Sequence, residues 1–299
     1  MAYRTPPGQE TAAYNLPEFA HPAWLLRMAI PLEDNFTDVI GKAQRGLGIS
    51  DSQLAEEARI SSDQVRTLRG GEVDEMAIYR VAPVLGLAGR ALFDLANGSW
   101  TPPELDLPGS FAQFNTTYGE MTVNSYLVWD PQTSRGIAFD TGGDCSEMLA
   151  RIKAEQLQIE AILLTHSHVD HIAALRELRQ AVRAPIYIGE RESAPGAEPI
   201  PEGKTFSIDA LQIETLLTWG HSEGGVTYFV QGLKQPVAIV GDSIFAGSMG
   251  GGAVSYQDAL RNNREKILTL PEETILCPGH GPLTTVGKEK HENPFFASA

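Results

Sequence analysis

The stretch Thr165-His166-Ser167-His168-Val169-Asp170-His171 crowds four metal-binding side chains, His166, His168, Asp170 and His171, into one short run. Histidine offers a neutral nitrogen lone pair and aspartate a charged oxygen, the donors that divalent zinc, iron and manganese accept. Spacing decides what they can do together. The apolar run Ala161-Ile162-Leu163-Leu164 reads as a strand entering the motif, and a helical pattern leaves it. At a strand end, His166 and His168 can aim at one point. Asp170 and His171, at the turn into the helix, can reach a second point nearby, and that arrangement suits two adjacent cations. A lone histidine is usually a satisfied core or surface residue; four such groups packed this closely are not explained that way.

A closed site needs further ligands at other strand ends, and three candidates follow. His221 lies in the glycine-flanked loop Thr218-Trp219-Gly220-His221-Ser222-Glu223-Gly224-Gly225, after the apolar pair Leu216-Leu217. Asp242 closes a strand in Val240-Gly241-Asp242-Ser243, and His280 sits in Cys277-Pro278-Gly279-His280-Gly281-Pro282 after Thr274-Ile275-Leu276. The glycines beside each let backbone come close without a side chain in the way. Tyr228 is near enough in sequence to be a substrate contact, but a tyrosine in a strand core is the better reading.

Motif for motif, these residues resemble the metallo-β-lactamase superfamily, and within it the glyoxalase II-like, hydroxyacylglutathione hydrolase branch without an extra C-terminal helical domain. The resemblance spans about residues 109–299. It includes Gly241-Asp242-Ser243-Ile244-Phe245-Ala246-Gly247-Ser248, the run Pro278-Gly279-His280-Gly281-Pro282-Leu283-Thr284-Thr285 and the tail His291-Glu292-Asn293-Pro294-Phe295-Phe296. It implies a four-layer αββα sandwich with the site at one edge of two sheets. It also implies two divalent metal ions, zinc first, with iron or manganese suited to the same ligands. His166, His168 and His221 would hold one, Asp170, His171 and His280 the other, and Asp242 would bridge. Asp170 and Asp242 become the catalytic residues, Asp170 orienting the nucleophile. The implied reaction is hydrolysis of a small thioester by hydroxide, from a shared water whose pKa falls from about 15.7 towards 7.

Aspartate at 242 in place of cysteine points away from the zinc β-lactamases themselves. Other departures bear on substrate. Met249 is followed by Gly250-Gly251-Gly252 where the branch usually shows a Gly-Arg pair, and Trp219 stands where a proline is common. Two other activities fit the superfamily. A mononuclear iron persulfide dioxygenase would use only His166, His221 and Asp242, and a lactone or ester hydrolase would use the whole set.

Four zones position these residues: an N-terminal extension (1–32) broken by prolines, a helical domain (33–98), a proline-stiffened linker (99–108), and the α/β domain (109–299). In the last, strands are expected at 125–129, 136–139, 161–164, 184–188, 226–230 and 237–240, with helices at 146–156, 172–183 and 256–268. Trp100, Leu105 and Leu107 are the side chains able to anchor the linker. In the helical domain, Ser50 with Gln53 and Ser61 with Gln64 form two capping-box patterns. The string Leu54 to Val65 resembles repressor-like helix-turn-helix domains over about residues 36–95. Arg59 takes the turn's usual glycine position, and Pro83 is expected to interrupt the fourth helix. A regulator reading DNA with a metal-fold sensor is therefore the non-enzyme alternative. Against it, residues 33–98 carry seven Lys and Arg against eleven Asp and Glu, and a DNA reader needs a basic footprint. The domain is expected instead to pack over the active-site face or join two chains as a homodimer.

Composition narrows the partners. A formal charge of −15 opposes generic attraction to nucleic acid or anionic membrane, leaving a small-molecule substrate. No run approaches the roughly 18 apolar residues of a membrane span, and the first residues lack a secretory pattern. Cys145 and Cys277, the two cysteines, read as free core thiols. A cytoplasmic location is expected.

Overall fold

The computed structural model describes residues 29–298, so the extension (1–32) lies almost wholly outside the described residues. Two mixed six-stranded sheets carry the α/β part. The first is ordered β1 (Phe111–Tyr118), β2 (Met121–Trp129), β3 (Arg135–Phe139), β4 (Gln158–Leu163), β5 (Ile186–Gly189) and β6 (Ala197–Ile200). The second contains β7 (Thr205–Ile208), β8 (Leu211–Leu217), β9 (Val226–Gln231), β10 (Val237–Gly241), β13 (Ile275–Pro278) and β14 (Thr284–Thr285). A short hairpin, β11 (Ile244–Phe245) with β12 (Ser248–Met249), follows β10.

Period-two alternation sorts the apolar side chains into three cores. Tyr126, Val128, Ala161 and Leu163 of the first sheet meet Ile213, Tyr228, Val230, Val237 and Ile239 of the second. Their neighbours Leu127, Trp129, Ile162 and Leu164 face outward, onto Met148 of α6 (Ser146–Ala154) and Leu175 and Leu178 of α8 (Leu175–Val182). On the far side Phe229, Ala238, Val240 and Leu276 pack on Ile267, Leu268 and Val286 of the C-terminal helical elements. The layers are therefore helix, sheet, sheet, helix. Tyr228 is fully buried, its hydroxyl donating to Leu164 O at 2.7 Å, so it is a core residue. Both cysteines are buried and free.

Two expected helices differ in extent. The one expected at 172–183 is α8, which starts only at Leu175 because Ala174 N turns outward to Gly142 O and Thr141 Oγ1; a separate short turn, α7 (Val169–Ile172), precedes it. The pattern over 256–268 is α9 (Tyr256–Asn262) and then a wide π-type turn, Asn263–Ile267. The change falls where adjacent Asn262 and Asn263 both turn inward to donate to Trp219 O and Ser243 O.

Among the described residues five helices precede the sheets: α1 (Phe36–Leu47), α2 (Asp51–Ala58), α3 (Ser62–Arg69), α4 (Glu75–Val84) and α5 (Gly89–Ala96). Ser50 with Gln53, and Ser61 with Gln64, close reciprocal caps on α2 and α3. Arg59 takes a left-handed conformation (φ 55°), the one glycine favours at such a turn. Pro83 does not interrupt the fourth helix: it sits in the last turn of α4, where only one main-chain bond is forfeited before the helix ends. The helices share their core with the rest of the chain. Val39, Ile40, Leu54, Leu68, Ile78 and Leu92 pack together with Met249, Tyr256, Ala259 and Phe295. Trp100 is buried in that cluster and Leu105 packs against the inter-sheet core, whereas Leu107 is exposed.

Glu289, on α10 (Val286–Glu292), is fully buried beneath this junction. It accepts from Gly247 N (3.0 Å), Thr284 Oγ1 (2.6 Å) and Asn293 Nδ2 (2.7 Å), and Asn293 also donates to Ser248 O. Burial raises its pKa from 4.5 to about 7 against those donors. A carboxyl raised on folding adds stability that is complete below the unfolded pKa and is lost as pH rises through the folded one. The melting temperature should therefore carry a contribution that declines as pH rises from 4.5 to about 7. Glu289→Gln should flatten that slope in a thermal-melt series, because the Thr284 hydroxyl can reverse and accept from the amide.

Candidate metal centre

The topology brings the ligand-type residues to one edge. β10 runs parallel to β13 and antiparallel to β9, which is antiparallel to β8, so β8, β10 and β13 share one direction. His221, Asp242 and His280 follow their C-terminal ends, while His166 follows β4 and Asp170 and His171 open α7. All seven candidates meet. His166, His168, His221 and Asp242 each place a donor atom within 4.8 Å of the others, and so do Asp170, His171 and His280. Asp242 lies between the sets: Oδ2 is 3.3 Å from His221 Nε2 and 3.5 Å from His280 Nε2, and Oδ1 is 3.3 Å from His171 Nε2.

The outer nitrogen of each ring decides which lone pair faces inward. His221 Nδ1 lies 2.9 Å from Gly251 O and His280 Nδ1 lies 2.7 Å from Thr122 O. A carbonyl only accepts, so both rings carry the proton on Nδ1 and present Nε2 to the centre. His171 Nδ1 donates to Asp140 Oδ2 (2.8 Å). His166 Nδ1 is 3.0 Å from Thr165 Oγ1, whose own hydrogen goes to Asp140 Oδ2 (2.7 Å). Thr165 N completes the set on Asp140 Oδ1 at 2.7 Å. One buried carboxylate thus orients a histidine of each group, directly in one case and through a hydroxyl in the other.

No sequence pattern marks Asp140. It follows β3 with a positive φ of 53°, an uncommon conformation for a residue with a side chain, held here by those three donors. Asn124 was missed as well. Fully buried on β2, it donates to Pro278 O and Gly281 O, both at 2.9 Å, and fixes the loop that carries His280.

The arrangement fits cations. His168 Nδ1 lies 2.9 Å from His166 Nε2 and 3.1 Å from His221 Nε2, so three ring nitrogens converge at contact distance. Burial, reinforced by the positive neighbour His171, holds the His166 pKa well below its usual value, and burial also lowers that of His168. Neutral lone pairs crowded this way repel unless something positive lies between them. His171 Nε2 and Asp242 Oδ1 are buried and 3.3 Å apart, yet neither makes a hydrogen bond among the described residues, as expected of two donors aimed at a third atom. Burial opposes charge on His171 and His280, but Asp242 with Asp140, and Asp170 with Asp242, push them up to about 10 and about 11. The carboxylates of this half call for positive charge. Gly279 has no room for a side chain, since a Cβ would meet Asp242 Oδ1 and the His171 ring.

The pattern of the metallo-β-lactamase superfamily matches residues 118–280, and the chain belongs to that superfamily. Its fold is one that binds divalent metals. The probable metallo-hydrolase YqgX of Bacillus subtilis (strain 168) is 36% identical over 205 residues, 60% of this chain and 94% of that protein. Hydroxyacylglutathione hydrolase GloC of Haemophilus influenzae (strain ATCC 51907 / DSM 11121 / KW20 / Rd) is 29% identical over 200 residues, covering 58% and 93%. The crystal structure of the BLEG-1 B3 metallo-β-lactamase superposes with a TM-score of 0.56 at 32% identity, covering 63% of this chain and 100% of that one. The superfamily match begins after the five helices, which stand outside it. No helix among the described residues is long and apolar enough to cross a membrane.

Asp140→Asn would set an amide N–H2 against the donors that now converge on the carboxylate. Loss of such an orienting partner typically costs 10- to 100-fold in metal affinity. Chelator competition on the purified variant should show weaker binding at both halves of the site.

Proposed function

We propose that the chain is a dinuclear metal-dependent hydrolase that cleaves a small thioester. The observation that carries this reading is the pair of donor sets meeting at Asp242. His166, His168 and His221 would hold one ion, Asp170, His171 and His280 the other, with Asp242 common to both. Held there, divalent cations, zinc first among them, supply Lewis acidity, lowering the pKa of water from about 15.7 towards 7 and polarising a carbonyl oxygen. Asp170 Oδ2 lies 3.3 Å from His280 Nε2 and 3.6 Å from His171 Nε2, and although burial opposes its ionisation these neighbours lower its pKa. Its carboxylate can orient the attacking water and accept a proton. All five histidines aim a nitrogen into the donor sets, so none of the five is left over to protonate a leaving group. That favours a group that departs as an anion, and a thiol with a pKa near 8.5 does so far more readily than an amine or alcohol. The hydroxyacylglutathione hydrolase relative supports the same substrate class.

The helical layer is not proposed as a DNA reader. On α3, Arg66 pairs with Asp63 and Arg69 donates to Thr37 O, and the layer's seven Lys and Arg are outnumbered by eleven Asp and Glu. A homodimer through this layer would use the exposed Val73, Met76 and Tyr79, and size-exclusion chromatography with light scattering tests for it.

Metal content and thiol release test the reading together. The purified full chain should carry two divalent ions and release thiol from S-lactoylglutathione or a simpler S-acyl thioester. Asp242→Ala should lose metal and cut turnover by at least about 100-fold, the scale of removing a group central to transition-state charge. One iron per chain, with oxygen consumed on a glutathione persulfide, would replace this reading with the dioxygenase. Turnover of lactones or β-lactams without thioesters would move the substrate class alone.

A further inference from the structure

The helical layer and the metal centre meet at one short piece of backbone, Ser248 to Gly251. From the helical side, Lys42 of α1 donates to Met249 O at 2.8 Å and pairs with Asp34, which itself accepts from Ser248 Oγ at 2.6 Å. The pair is nearly enclosed, with side chains 14% and 7% exposed. From the metal side, the Asp242 carbonyl presses so closely on Gly250 that a Cβ there would overlap it, and His221 Nδ1 would lie 3.1 Å from that Cβ. Gly251 O then takes the His221 Nδ1–H at 2.9 Å. A single residue, Gly250, separates the carbonyl that Lys42 holds from the carbonyl that holds His221.

Attachment alone does not call for this pair. Apolar packing of α1 against Met249 and Tyr256 already joins the layers, and replacing a buried ion pair by apolar groups of similar volume is often neutral or stabilising. What the pair adds is direction: it fixes two consecutive residues of one strand from the outside. We propose that Asp34 and Lys42 are positioning residues for the metal centre, clamping Ser248–Gly251 so that Gly251 O holds the His221 ring with Nε2 facing inward. This rests on the reading that His221 binds a metal, and it gives the helical layer a role in the chemistry without any contact to substrate.

The test is metal affinity of the full-length protein, measured with Zn2+ by chelator competition. The relevant ion is identified beforehand as the one whose binding His221→Ala abolishes. In the double variant Asp34→Asn, Lys42→Met the dissociation constant of that ion should rise about 10- to 100-fold, the usual cost of losing an outer partner of a ligand. The melting temperature of the metal-free protein should stay near wild type, and Lys42→Arg, which keeps the charge and a donor, should retain affinity. Unchanged affinity in the double variant overturns the proposal, whatever its melting temperature does. An equal loss of affinity in Leu92→Ala, which loosens the helical core without touching the pair, overturns it too, because general loosening would then be the cause. A wild type that takes up one ion refutes the two-metal reading but leaves this test intact, and one that takes up none refutes both.

Discussion

Everything at the active edge depends on turning several imidazole lone pairs towards the same small volume. Neutral nitrogens gathered at contact distance repel, and a ring free to rotate would turn its N–H inward instead. The protein prevents this by giving the outer nitrogens of His166, His171, His221 and His280 partners of their own, just after β4, just after β3, on the segment after β12 and on β2. Asp140 has the widest reach, because a single carboxylate serves a histidine in each half of the site. Its left-handed backbone is the local strain that goes with that reach, held by the three hydrogen bonds its carboxylate accepts.

Seen from these outer partners, the boundary between scaffold and site moves outward. Asn124 supports the loop that carries His280, and Glu289 with Asn293 supports the hairpin that leads to Gly250. The helices reach the same hairpin from the opposite side. A layer outside the superfamily match is therefore joined to the hairpin beside the centre by hydrogen bonds at the Met249 carbonyl and the Ser248 hydroxyl.

How much of this could be read from the residues divides along the same line. The inward-facing donors were legible, because four of them occupy one short run and the others sit between glycines at strand ends. The two-layer sheet core was legible in part: short apolar runs marked β2, β3, β4, β5, β9 and β10. The polar strand β1 and the short strands β6 and β7 escaped, since at sheet edges only part of one face is buried and little contrast remains. Asp140, in Asp-Thr-Gly-Gly, has no spacing relation to the ligands. Its role arises because β3 lies parallel beside β4, a pairing decided in three dimensions. The contact between Asp34 and Ser248 joins residues 214 positions apart, and no local pattern records it.

The scattering of the ligands along the chain also has a consequence for how the molecule is made. In an unfolded chain a cation can be caught by the local run His166 to His171, whereas His221, Asp242 and His280 join only after both sheets have closed. Metal that arrives early is thus bound by the unfolded chain as well, and any such affinity subtracts from the stabilisation the native site can provide. The order of events, sheets first and ion second, is then part of what this sequence must achieve, and it depends on non-local pairings such as that of parallel β10 with β13.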